Sequence, residues 1–165
     1  MRSDVTLRQL DEDLLRDLLD VAVAEADPHE VMPPVAGPAG WTAERRTAFL
    51  RFHQSRSLSA DPVEATYVIV VGDAVVGAAR LCPLEGAKRA VEAGVWIGRS
   101  YRGSGVGGAV LSHLLTLACA DGFDSLFLST TPDNTASQRL LSALGVDVVH
   151  EGDAVTAWVD LIAAR

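Results

Sequence analysis

The hydrophobic period changes several times along the chain, and each change marks an element. VTLRQL (5–10) alternates apolar and polar positions, which predicts a strand at the edge of a sheet. In DEDLLRDLLDVAVAEA (11–26) leucines and valines recur at helical spacing, and the acids from Asp11 to Asp13 favour a helix N-terminus. Residues 27–40 hold four of the seven prolines and read as a loop. WTAERRTAFLRFHQSRSL (41–58) returns to helical period. Thr42 is its expected N-cap, with Arg45 where a capping box would place Glu.

The second half alternates faster. ATYVIVVGDAVVGAARLC (65–82) is two β-branched runs joined by Gly72-Asp73, a hairpin signal, and RAVEAGVWIG (89–98) is a third run. A helix is predicted over 106–122, ending at Gly122. A short buried strand (125–130) and a helix (132–145) with Pro132 near its start and Gly145 at its end follow. VDVVH and AVTAWVDL close the chain as a hairpin around Glu151-Gly152-Asp153. The order β α α β β β α β α β β predicts one domain over 1–165, a mixed sheet with helices on both faces.

Composition narrows the function classes. With 165 residues, 48% apolar and 22% charged, the chain can bury a core and is no disordered tail. The net charge of −8 argues against nucleic acid and suits a cationic substrate. No apolar run reaches the ~20 residues of a membrane span. The N-terminus carries no apolar signal core, so a cytoplasmic protein is expected. Cys82 and Cys119 lie far apart in apolar surroundings and read as buried free thiols. Four scattered histidines give no metal-ligand pattern, and none is assigned.

The chemistry concentrates in YRGSGVGGAVLSHLL (101–115). Gly103-x-Gly105-x-x-Gly108 has the spacing of a dinucleotide loop. That reading needs the first βαβ unit and an acid ending the next strand. Here the loop lies two-thirds along the chain, and Asp121 and Asp124 precede the next strand. Read from Arg102, the glycines open a helix whose N–H groups and dipole suit a pyrophosphate, with a cation at the lip.

Residues 92–146 resemble the GCN5-related N-acetyltransferases (GNAT family), in the branch with ribosomal-protein and some antibiotic acetyltransferases. EAGVWIGRSYRGSGVGGAVL resembles that branch's fourth strand and acetyl-CoA loop, and NTASQRLLSALGV (134–146) its later segment, with Val146 for Phe. The resemblance implies the GNAT fold, a mostly antiparallel sheet of about seven strands with about four helices. It implies acetyl-CoA as cosubstrate and transfer of acetyl to an amine. The backbone of Val95, Trp96 and Ile97 would hold the acetyl and pantetheine arm. Arg102, Gly103, Ser104, Gly105, Val106, Gly107 and Gly108 would cradle the pyrophosphate, and Asn134 and Ser137 would touch the pantetheine or phosphates. Asn134 also reads as a helix cap. Glu92 is the expected general base, acting through a water, or a salt-bridged carboxylate; Glu151 and Asp153 are weaker candidates. Many relatives place a tyrosine where this chain has Leu141, so protonation of the leaving thiolate falls to Ser137 or water.

The acceptor is not named by these motifs. In this fold the first helices, their loop and the last hairpin shape its site. Those segments supply Glu30, Trp41, Glu151 and Asp153 as substrate-binding candidates, with Asp27, His29, His53 and Trp158 beside them. Acids near aromatic rings suit multiple ammonium groups. A further likeness, to aminoglycoside acetyltransferases of the kasugamycin-modifying kind, ranks a small cationic antibiotic or aminosugar first. A protein N-terminal amine comes second, other amines such as polyamines or amino acids follow, and a non-catalytic acetyl-CoA-binding domain is a reading of a different class. No membrane or nucleic-acid partner is expected, and a homodimer is allowed for.

Overall fold

A computed structural model of the chain describes residues 2–86, 89–130, 135–143 and 145–162, with 135–137 as backbone. One seven-stranded sheet runs through it in the order β1-β2-β3-β4-β5-β7-β6. The strands are β1 (Val5–Gln9), β2 (Ala65–Val71), β3 (Ala74–Pro83), β4 (Ala90–Ile97), β5 (Ser125–Thr130), β6 (Val148–Glu151) and β7 (Ala154–Asp160). Only β4 and β5 pair in parallel; the other neighbours are antiparallel. The edge position expected for the first strand holds. The two hairpins with two-residue loops, β2–β3 and β6–β7, turn on a glycine at positive φ, Gly72 (61°) and Gly152 (59°), which such a loop with Gly first requires.

Helices cover the sheet on two sides because both of its faces carry apolar side chains that must be buried. α1 (Glu12–Glu25) turns Leu14, Leu15, Leu18 and Ala22 inward, and its N-cap Asp11 accepts from the Leu14 N–H at 2.8 Å. It packs with α3 (Ala43–Ser57), N-capped by Thr42 as expected, on β2 and β3. α4 (Val106–Ala120) fills the opposite face with Val106, Ala109, Val110, Leu114 and Ala118. α5 is Thr135–Ala143. The fifth helix is the single turn α2 (Pro28–Val31), in the segment expected to be loop throughout. Pro28 sits where a helix tolerates it, at the first turn, so proline count alone misread this stretch. Cys82 and Cys119 are free as expected but half-buried. No described helix is long and apolar enough to cross a membrane.

His53 is buried at 3% exposure against the rings of Phe49 and Phe52. Among the described residues neither ring nitrogen has a hydrogen-bond partner. It is therefore core rather than acceptor site. Burial pushes its imidazole down from 6.5 to about 4, with Arg80 assisting and Glu64 opposing. The folded value lies below the unfolded one. The stability is thus fully present above pH 6.5 and drains as pH falls towards 4. Between about pH 7.5 and about pH 5 the loss is expected to be about 2 kcal/mol. Urea unfolding at both pH values should show it in the wild type and not in His53→Leu. Equal slopes would mean that other groups set the acid limb.

Candidate active site

The sheet opens where its one parallel pair ends. β4 and β5 pair only at Ala90↔Ser125, Val91↔Leu126 and Glu92↔Phe127. β4 then continues to Ile97 alongside β3, and β5 to Thr130 alongside β7. Each strand keeps its outer partner and loses its inner one. The gap is a cavity of about 860 Å³. Ala93–Ile97 line one wall, Leu128, Ser129 and Thr130 the other, with Gly103, Gly105, Gly107 and Gly108 at one end.

The ladder alternation decides which backbone groups face this gap. The Gly98 N–H donates to the Val76 carbonyl at 2.8 Å, and pairing proceeds without a shift along β4. In an antiparallel ladder every second residue bonds the same neighbour. Trp96 and Gly94 therefore spend their N–H and C=O on β3, and Ala93, Val95 and Ile97 turn theirs into the gap. The Trp96 backbone is thus turned away from the gap that the expected contact would need, whereas the Val95 and Ile97 backbones face it, with the Ile97 carbonyl accepting from the Arg102 Nε. The Trp96 carbonyl indeed abuts Gly77 closely enough to exclude any Cβ there.

A 3₁₀ turn (Arg99–Tyr101) links β4 to α4. Gly105 is the α4 N-cap at φ 85°, a left-handed conformation that glycine reaches without steric cost, and no side chain caps the helix. With no side-chain cap, the first N–H groups of α4 at the glycine end of the cavity have the arrangement that suits an anion. Ser104 does not offer its hydroxyl; it donates to the Tyr101 carbonyl at 2.7 Å. Gly108 has a packing reason, since a Cβ there would stand 3.0 Å from Leu140 of α5. Arg139 of α5 lines the cavity and has no ion-pair partner among the described residues, and no sequence motif marks it. Leu141, at 3% exposure, lines it too. Asn134 lies outside the described residues, and Ser137 falls on the backbone of α5.

Glu92 faces the α1 and α3 side of β4. Arg80 donates to it at 3.4 Å and to Glu64 at 3.0 Å, and Arg56 holds Glu64 from α3. Arg80 reaches Glu92 by lying across Gly94, where a Cβ would meet its Nε at 2.9 Å. Register places Glu92, Phe127 and Trp158 in one row across β4, β5 and β7. The two rings stack obliquely at 5.0 Å, and Trp158 is 52% exposed.

The expected acceptor residues do not gather in one place. Glu30 lines the cavity and binds Arg102 at 2.9 Å. The Trp41 indole donates to the Ala26 carbonyl and its ring packs on Phe49, so it serves the core. Glu151 and Asp153 sit at the β6–β7 turn, exposed and away from the cavity lining. Asp27, His29 and Glu30 bring ligand atoms within 4.8 Å of one another, a grouping the sequence reading had not drawn. Asp27 and Glu30 are already paired there, with Arg99 and Arg102.

The model of the acetyltransferase (GNAT) domain family matches residues 4–147. The chain belongs to this family. GNAT enzymes are acetyltransferases that use acetyl-CoA, and this chain's split sheet and glycine-opened helix fit that cosubstrate. Solved structures share the fold at low identity. The spermidine/spermine N-acetyltransferase of Vibrio cholerae aligns with a TM-score of 0.71 at 15% identity, over 98% of this chain and 96% of that one. An acetyltransferase from Salmonella typhimurium, solved with acetyl-CoA, gives 0.66 at 20%, over 96% and 95%. The ribosomal L7/L12 α-N-protein acetyltransferase in complex with coenzyme A gives 0.70 at 18%, over 96% and 95%. No curated protein matches the chain in sequence.

Proposed function

We propose that this GNAT enzyme acetylates a primary amine of a small cationic acceptor, of the aminoglycoside or aminosugar class. The observation that carries the reading is the row Glu92–Phe127–Trp158, beginning where β4 and β5 part. α4 closes the other face, so the amine would approach over this row. An ammonium is favoured above the exposed Trp158 ring and the half-buried Phe127 ring beside a carboxylate. The net charge of −8 supports the same class.

In this reading Glu92 takes the proton of the ammonium through a water. The free amine attacks the thioester carbonyl carbon, and the Val95 N–H, turned into the gap, stabilises the oxyanion. The C–S bond breaks and the sulfur leaves as thiolate. Leu141 cannot protonate it. Ser129, Thr130 and Tyr101 line the cavity and carry hydroxyls, which join Ser137 and water as candidate proton sources. A thiol pKa of about 8.5 makes the thiolate a tolerable leaving group near neutral pH.

Thiol release from acetyl-CoA should be measured across aminoglycosides, polyamines and N-terminal peptides. Turnover of an aminoglycoside or aminosugar with a kcat/KM that falls as salt rises is the expected result. Efficient turnover of a peptide with a flat salt profile would move the assignment to protein N-terminal acetylation. Acetyl-CoA binding without thiol release from any amine would favour the non-catalytic reading, which the buried Leu141 supports.

A further inference from the structure

Three contacts tie the end of α1 and the α2 turn to the loop that opens α4. The Glu25 carboxylate accepts from the Ser100 N–H at 2.8 Å and from its hydroxyl. Gly98 permits this approach, since a Cβ there would stand 2.8 Å from the Glu25 Cβ. Asp27 binds Arg99 at 2.8 Å, and Glu30 binds Arg102 at 2.9 Å. The third contact differs in kind from the other two, because both its partners line the cavity. Arg102 is held from the other side as well, its Nε donating to the Ile97 carbonyl at 2.7 Å.

We propose that Glu30 couples the two substrates: it neutralises Arg102 while the pyrophosphate site is empty, and it is released to the ammonium of the acceptor when acetyl-CoA loads. The inference rests on the assignment of the α4 loop to the acetyl-CoA phosphates. A phosphate arriving at the glycines meets a cation already paired and a carboxylate within the same cavity. Binding must therefore overcome the Arg102–Glu30 attraction and the repulsion of Glu30. Once Arg102 turns to phosphate, Glu30 loses its counter-charge and gains affinity for a cation. An ammonium at Glu30 removes the repulsion in turn, so each substrate favours the other, as linkage requires. The Glu25–Ser100 and Asp27–Arg99 contacts keep the two segments in register while the third exchanges partners.

Glu30→Gln gives the effects opposite signs. Calorimetry with acetyl-CoA at low salt should show tighter binding to the variant by about 5- to 10-fold, the size of a coupling of roughly 1 kcal/mol. The KM of the best amine from the thiol-release screen should rise by at least about fivefold, because the variant cannot hold an ammonium by charge. A Glu30 that merely positions Arg102 would loosen acetyl-CoA, and that result overturns the proposal. Tighter acetyl-CoA with an unchanged amine KM overturns it too. Arg102→Gln separates folding from coupling: in that background Glu30→Gln should tighten acetyl-CoA less than in the wild type, and an equal gain would show that Arg102 is not the shared partner. Failure of the wild type to bind acetyl-CoA at all would instead remove the loop assignment.

Discussion

Gly107→Asp is expected to cost about 10²- to 10³-fold in acetyl-CoA affinity while leaving the protein folded. Gly107 lies in the first turn of α4 and lines the cavity, and a Cβ on it would point between Leu140 at 3.4 Å and Ile97 at 3.6 Å. Both neighbours line the cavity too, so the carboxylate would enter the phosphate end. Two unit charges 4 Å apart repel by about 4 kcal/mol at an effective dielectric near 20, and screening lowers this. Backbone strain is absent, because the positive-φ glycines of this loop are Gly103 and Gly105. An acid in the first helical turn complements the dipole, so unfolding temperature should hold or rise. Gly105 is the poorer test, because its Cβ would lean towards Arg2 at 3.6 Å, outside the cavity lining. Gly107→Asn has the same shape without the charge and should lose far less. Calorimetry showing equal losses in the two variants would mean that the site is closed sterically, and unchanged affinity in a folded Gly107→Asp would remove the phosphate site from this loop.

Much of this architecture is written in local pattern. The caps at Asp11 and Thr42, the Gly72-Asp73 and Gly152-Asp153 turns, and the α4 stripe each follow from spacing within a few residues. The cavity does not. It arises because β4 and β5 stop pairing after Glu92 and Phe127, a long-range fact about two strands separated by a whole helix. Which residues of β4 face it depends on ladder parity, which is why a run of three consecutive residues, Val95 to Ile97, was expected to face it although the Trp96 backbone turns to β3. The acceptor side was the least legible. Trp41 and His53 carry suitable chemistry, but their surroundings put one on a carbonyl and the other among phenyl rings. Phe127 and Trp158 are 31 positions apart in sequence. Their stacking beside Glu92 becomes visible only when β5 and β7 are paired in register. The same holds for Glu30, read as an acceptor residue from the segment it lies in and found paired with Arg102 of the loop that opens α4.

Glu92→Gln is expected to lower kcat by about 10²- to 10⁴-fold if the carboxylate is the general base, with acetyl-CoA affinity little changed. The affinity should hold because Glu92 points to the α1 and α3 side of β4, whereas the cavity lining is made by its neighbours Ala93 and Gly94. The competing explanation is structural, since Glu92 closes a chain of ion pairs running Arg56, Glu64, Arg80, Glu92. The two explanations differ in where the loss appears. In the chain Arg80 is held more closely by the buried Glu64, at 3.0 Å, than by Glu92, at 3.4 Å. The glutamine keeps a carbonyl acceptor for Arg80, so a half-exposed pair of this kind should cost the fold little. A large fall in kcat with an unchanged unfolding temperature therefore speaks for the base. Arg80→Lys supplies the converse, because a lysine crossing Gly94 cannot grip Glu64 and Glu92 with one planar fork. It should lower kcat less than Glu92→Gln does and leave acetyl-CoA binding alone, as expected of a residue that only positions the carboxylate. A kcat for Glu92→Gln within threefold of wild type, measured with the amine that the thiol-release screen selects, would return Glu92 to the ion-pair chain and leave water or the exposed Glu151 to take the proton.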